Sequence, residues 1–399
     1  MWVAVLAIGA IYVLSTVLTP LYPLYRRELG FSELAVTGIY AIYVVGNLAV
    51  LFTLGRVSDQ IGRRITTQVG LLLTAMSAVC FCFATDTVGL GVGRVINGLA
   101  AGLGAGALTA WITELEPHRD KARAAVIASA GNLGGLAVGA LAGGLLAQYG
   151  PWPLQLVFAI CVLLLCATAL GIRRVRETVE QPVKNMRSLS LRPRIGVPSG
   201  IRLAFAAPAC MTFTAFALGG FYAAVVPGLM GERLHVSNVA GIGAVVALFF
   251  AAACVTALLT GKLKGRTAMY GAVVLVLLGL TLLIVSERES SLQLLLAATL
   301  LAGGAMALGY RGSLEIVNEI APAERRAEVI SSYLLVCYTA NSLPVLGVGV
   351  ASSAVGTSAA HLSFAIVIAV LAIAATIIGA RFLPRESSQH RPAQLARAR

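Results

Sequence analysis

Twelve apolar runs, most of them about twenty residues long, divide this 399-residue chain, and no other feature restricts its fold so severely. They cover residues 2–22, 35–54, 65–84, 88–111, 124–147, 154–172, 204–226, 239–260, 268–286, 292–314, 329–351 and 361–382. About twenty apolar residues is the length of a helix that crosses the hydrocarbon core of a bilayer. No water is available there to bond backbone groups, so the runs are expected to be helices, giving an all-α polytopic membrane protein. A mean hydropathy of +0.87 and a 58% hydrophobic content exclude an ordinary soluble domain, which would have to expose apolar surface to water. The first run has no basic residue before it and no clear small-residue cleavage site after it, so it reads as a retained helix rather than a leader.

The placement of the 30 basic residues sets the orientation. Even-numbered gaps and the C-terminal tail hold 24 of them, and odd-numbered gaps hold 4: Arg26, Arg27, Arg233 and Arg288. Arg94 and Arg311 lie within runs. The bias predicts cytoplasmic even gaps and two cytoplasmic termini. The net charge of +13 is spread over membrane-proximal loops and forms no single reading face, so no nucleic-acid partner is expected. The polar, basic linker 173–203 contains Pro182, Pro193 and Pro198 and separates six runs (1–172) from six (204–382). The tail 383–399 is expected to be disordered, with only unspecific attraction to anionic membrane lipid.

An internal repeat supports this division. Arg27–Ser32 (RELGFS) matches Glu232–Ser237 (ERLHVS), and Glu114–Pro117 (ELEP) matches Glu319–Pro322 (EIAP), both at an offset of 205. Duplicated six-helix halves with a site near the midplane between them are a transporter architecture.

Charge is scarce, yet the stretch GRVSDQIGRR between runs two and three holds Arg56, Asp59, Arg63 and Arg64. Gly55 allows the end of helix two to pack closely, and Gly62 permits a tight reversal into helix three. Asp59 is an anion suited to a helix N-terminus or an arginine. Arg63 and Arg64 are placed to pair with Glu114 at the end of helix four. Topogenic charge alone accounts for the arginines, but not for Asp59 or the glycines. The stretch resembles the loop signature of the major facilitator superfamily, G-x-x-x-D-x-x-G-R-[RK], at the position where that family carries it. The resemblance implies a twelve-helix fold in two pseudo-symmetric bundles. It also implies a latch of Gly55, Asp59, Gly62, Arg63, Arg64 and Glu114 that holds the halves in an outward-facing state. The second-half counterpart, Gly261–Arg266 (GKLKGR), lacks the acid, so the latch is expected to be asymmetric.

Two further stretches resemble signatures of the same family. Arg94, Asn97 and Gly98 match the arginine–glycine pattern of helix four. An arginine inside a membrane helix costs about 2.5–3.5 kcal/mol on insertion scales, so it should face protein, unless it lies near enough to the interface to snorkel. Gly135, Gly139, Gly143 and Gly144 match the helix-five antiporter signature, but Ala140 stands where a proline belongs. The glycine face remains available for helix packing, and the proline's effect on the helix is lost.

Other intramembrane polar residues form stripes: Tyr12, Thr16 and Thr19; Tyr40, Tyr43 and Asn47; Tyr333, Cys337 and Asn341; and the pair Arg311 and Glu315 at i, i+4. Arg94, Asn97, Tyr40, Tyr43, Asn47, Arg311, Glu315 and Asn341 are the candidates for coupling or substrate contact. Ordinary interhelical contact is the competing reading of each stripe. The seven cysteines form no CxxC and the four histidines avoid the membrane centre, so no metal is expected. No phosphate-binding GxxxxGK[ST] is present, no nucleophile–base pair is visible, and no cofactor is expected. The helix centres of runs one, four and seven hold no carboxylate, so proton coupling is implied by the resemblance alone. The favoured expectation is export of a small amphipathic compound by proton antiport in the inner membrane. Import of a polar metabolite such as a sugar or organic anion is one rival, and a non-transporting receptor or scaffold is another.

Overall fold

The computed structural model describes residues 1–54, 57–180 and 195–383. Every apolar run is largely helical, and most helices, spans 6 and 8 excepted, extend past at least one end of their runs where further residues continue the turn. Spans 1–6 are Trp2–Leu29, Glu33–Thr53, Arg63–Phe83, Thr87–Glu114, Lys121–Tyr149 and Leu156–Ile172. Spans 7–12 are Arg202–Ala224, Val239–Leu259, Gly265–Arg288, Leu292–Ile320, Arg326–Val355 and Thr357–Phe382. Span 6, at 17 residues, is the shortest.

Local chemistry sets several ends. Ser32, Asp86, Asn238 and Ser291 cap spans 2, 4, 8 and 10, each side chain accepting a backbone N–H three residues on. Span 1 passes through the turn Thr19–Leu21 before continuing as Tyr22–Leu29, where Pro20 and Pro23 withhold backbone donors. Span 2 is broken at Ile42. The linker is shorter than expected at its second end, since helix begins at Ser199. Its first residues are not a free strand either; they lie against the first half, as described below.

Spans 1–6 pack together, as do spans 7–12, and the halves meet along span 5 against span 8 and span 2 against span 11. The contacts that join them run from the middle to the end opposite the charged loop. Gln148 accepts from the Val239 N–H at 2.8 Å, Gly144 lies on Gly243, and Thr37 lies on Gly349. Arg26 pairs with Glu232 at the rim. A cavity of about 540 Å³ opens there, lined by Arg26, Arg27, Phe31, Pro227 and His235 among others.

Candidate functional site

The charged loop is a compact electrostatic knot. Gly62 has φ +109°, a conformation that side-chain-bearing residues rarely adopt, and it starts span 3 sharply. The buried Arg63 then reaches back to Asp59 at 2.5 Å and Ser58 at 2.6 Å, and across to Glu114 at 2.8 Å. Asp59, Gly62, Arg63 and Glu114 are thus brought together, while Gly55 lies outside the described residues. Arg64 departs from expectation: its side chain turns to the Arg173 carbonyl at 3.4 Å and not to Glu114.

The principal partner of the knot was not visible in the spacing. Glu177, from the linker, accepts the backbone N–H groups of Arg63 and Arg64, both at 3.0 Å, and so caps span 3 with a negative charge. It also accepts from Thr178 and Val179. Partial burial pushes its carboxyl pKa up, but the N–H groups of Arg64, Val179, Arg63 and Thr178 pull it further down, to below the ordinary glutamate value. A Cβ on Gly62 would sit 2.7 Å from Glu177 Oε2, so this glycine is required by its neighbour as well as by its φ. Thr178 donates to Glu114, and Trp111 Nε1 donates to the Arg176 carbonyl at 3.0 Å. The knot therefore joins spans 3 and 4 to the linker. Its partners named here all lie in the first half and the linker, rather than across the two halves.

Deeper in the bundle, Arg94 is buried, with 1% exposure, which excludes snorkelling to the interface. It donates to the Ser15 carbonyl at 2.8 Å and the Tyr22 hydroxyl at 2.7 Å. The rings of Tyr22, Tyr40 and Phe81 surround its guanidinium at 5.7–5.9 Å. Its Nε has no partner, and no carboxylate among the described residues pairs with it. Gly98 explains how helix two comes near. A Cβ there would collide with the Tyr43 carbonyl, so only glycine lets span 2 lie against span 4. Asn97 is fully buried, with neither side-chain atom bonded.

Tyr40 carries the site to the second half, exchanging hydrogen bonds with Asn341 at 3.0–3.2 Å. Tyr43 lies near Asn47 and Ser15. Tyr43, Tyr310 and Tyr338 lie within electrostatic reach of Tyr12 along the seam, each of the four half-buried, with Asn132 beside Tyr12. Tyr310, Tyr338 and Asn132 were missed in the sequence because no stripe or motif marks them. Arg311 and Glu315 are not part of this group. They pair at 4.0 Å, and Arg311 also donates to the Leu263 carbonyl, in the loop that answers the charged loop of the first half.

The helix-five glycines divide by face. Gly135, Gly139 and Gly143 press on the span 1 backbone, where added Cβ atoms would meet the carbonyls of Gly9, Val13 and Val17. Gly144, with the fully buried Ala140 beside it, presses on span 8 of the other half.

Twelve spans in two packed halves, with a polar seam between them, define a polytopic membrane protein of transporter architecture. The sequence pattern of the Major Facilitator Superfamily matches residues 4–226 and again 208–398, and the chain belongs to that family of membrane transporters. It is 33% identical over 152 residues to the puromycin resistance protein pur8 of Streptomyces alboniger, a stretch covering 38% of this chain and 30% of that one. It is 29% identical over 182 residues to multidrug resistance protein 1 of Bacillus subtilis, covering 46% and 44%. The matched stretches thus span less than half of either relative. Among solved structures, a bacterial homologue of the human lysosomal transporter Spinster, in an inward-facing and occupied conformation, superposes with a TM-score of 0.74. The match covers 96% of both chains at 16% identity, which is a likeness of fold.

Proposed function

We propose that this chain exports amphipathic, drug-like compounds from the cytoplasm across the inner membrane by alternating access, driven by proton antiport. The observation that carries the reading is the seam itself. The half-buried Tyr43, Tyr310 and Tyr338 lie within electrostatic reach of the half-buried Tyr12, and Tyr40 bonds Asn341 across the halves, a lining that suits flat apolar molecules with a few hydrogen-bonding groups. Relatives named for puromycin and multidrug resistance support it. The bundles 1–172 and 204–382 are taken as the rocking bodies and 173–203 as their cytoplasmic tether. With the charged loop on the cytoplasmic side, as the basic-residue partition indicates, the contacts at the opposite end correspond to an inward-facing conformation. Asp59, Arg63 and Glu114 are the latch that must rearrange when the halves rock.

The test is ethidium and puromycin efflux from proteoliposomes carrying an imposed pH gradient. Gradient-dependent efflux abolished by a protonophore is expected. Absence of movement of either compound, with the protein folded and correctly inserted, would overturn the reading. A second reading, transport of an organic anion, is favoured by one observation: Arg94 is a buried cation with no carboxylate partner among the described residues. Counterflow with organic anions distinguishes the two.

A further inference from the structure

At the end opposite the charged loop lies a polar cluster that the seam does not use. His361, near the start of span 12, is 2% exposed, and Glu287, near the end of span 9, is 9% exposed. His361 Nδ1 lies 3.0 Å from Glu287 Oε2, and Ser358 donates to Glu287 Oε1 at 2.8 Å. An ionised carboxylate can only accept, so with Glu287 charged it is Nδ1 that carries the hydrogen of the imidazole. The other ring nitrogen, Nε2, is buried and has no partner. The Phe221 ring stands edge-on to the imidazole at 5.5 Å. A bare, enclosed imidazole nitrogen beside a carboxylate is a proton acceptor.

The surrounding charges connect this pair to the closed end. Arg233, between spans 7 and 8, lies 3.6 Å from Glu287 Oε1 and donates to Thr357 at 2.7 Å. Its neighbour Glu232 pairs with Arg26 of the first half. Glu33, at the start of span 2, lies within electrostatic reach of His361, Glu232 and Arg26. The groups acting on His361 are therefore Glu287 from span 9, Glu33 from span 2, and Arg233 through the shared carboxylate.

We infer that His361 and Glu287 form a proton-binding site whose occupancy governs closure of this end of the transporter. A proton from water adds to Nε2, giving an imidazolium with both nitrogens protonated. It then competes with Arg233 for the single carboxylate between them. Loss of the Arg233–Glu287 attraction loosens the segment 226–233, which holds Glu232 against Arg26. Protonation thus favours opening at this end and deprotonation favours closure. The site stands on geometry alone; its use as the antiport proton site rests on the reading above.

The chain has four histidines, so each is resolvable by NMR of ring-labelled histidine. His361→Asn keeps a donor near the Nδ1 position but cannot take a proton, and it identifies the His361 signal by loss. That signal is expected to change with pH, and the change should be altered in Glu287→Gln, where the anion that favours imidazolium is gone. Hydrogen exchange over 226–238, corrected for intrinsic rates, should be about tenfold faster near pH 6 than near pH 8. The difference should vanish in His361→Asn, or in His361→Gln should the first variant not fold. A His361 signal that does not change with pH, a response unaltered by Glu287→Gln, or protection equal at both pH values overturns the site. Absence of gradient-driven ethidium efflux with these signatures intact overturns the antiport reading instead.

Discussion

Replacing Arg94 with methionine separates what this arginine does for the fold from what it does for transport. Methionine has similar length and packs well against Tyr22, Tyr40 and Phe81, which now surround the guanidinium. The change removes two charge-assisted hydrogen bonds, to Ser15 O and Tyr22 Oη, each contributing about 1.5–3 kcal/mol. It also removes an enclosed charge with no carboxylate partner among the described residues, a burden of about 2.5–3.5 kcal/mol on insertion scales. The two effects oppose, and the net destabilisation is about 0–3 kcal/mol. A purely structural arginine would therefore be replaceable at small cost. If Arg94 instead holds a substrate group or governs coupling, transport per folded molecule should fall by about 100-fold or more, the loss of two strong hydrogen bonds. Arg94→Lys keeps the charge but not the fork, and should lose about tenfold, or one bond. Ethidium efflux in proteoliposomes, normalised to protein that melts cooperatively, is the assay. Methionine and lysine variants that both transport as the unaltered protein does would refute the reasoning and return Arg94 to the fold.

Gly139→Ala sets a Cβ against the Val13 carbonyl within one half and should cost about 1–3 kcal/mol, read as a fall in melting temperature. Gly144→Ala instead sets a Cβ 2.7 Å from the Val239 carbonyl across the halves, and should weaken closure of that end, read as faster hydrogen exchange over 236–243. Glu177 has a lowered pKa in the docked state, so its contribution is complete above the ordinary glutamate range and is lost as pH falls through the lowered value. Trp111 emission, isolated by difference from Trp111→Phe, should thus shift only below that range, and Glu177→Gln should show the shifted emission already near neutrality. Asp59→Asn should insert normally and transport poorly, checked by surface labelling beside ethidium efflux. Reporters fused at Arg399 and inserted at Gly231 should signal cytoplasm and exterior respectively, and an exterior signal from Arg399 would remove the proposed orientation.

What the sequence made legible was whatever repeats along one helix or one loop. Apolar length alone located all twelve helices, because lipid leaves the backbone no alternative. Several ends were placed short, since Thr87, Arg326 and Thr357 are polar yet helical, and hydropathy registers lipid and not hydrogen bonding. The Asp59–Arg63–Glu114 contacts followed from charge spacing, whereas Glu177 did not. Its role depends on the linker folding back 114 residues along the chain to Arg63, a contact that no local period encodes. Arg311 and Glu315 show the converse failure. Their i, i+4 spacing correctly indicated a pair, but not the depth at which it lies, beside the Leu263 carbonyl. Tyr310 and Tyr338 went unnoticed for the same reason, since facing the seam is a property of two packed bundles.

The asymmetry of the proposed latch follows from who holds whom. Arg63 is 10% exposed and is engaged by Ser58, Asp59 and Glu114, while the span 3 N-terminus behind it is occupied by Glu177. Among the two acids on Arg63, Glu114 is 35% exposed and Asp59 is 59% exposed. Asp59 is therefore the member of the knot most open to a new partner. The second half can answer it with a cation or a helix N-terminus but not with a matching acid, because its loop Gly261–Arg266 has none. On the latch proposed above, closing this end has the first half supply the carboxylate and the second half the positive end. The two loops cannot exchange roles, although the halves share a repeat. Removing the charge of Asp59 should accordingly disturb the closed form more than the open one described here. In the open form, Glu114 and Ser58 still hold Arg63, and Glu177 still caps span 3.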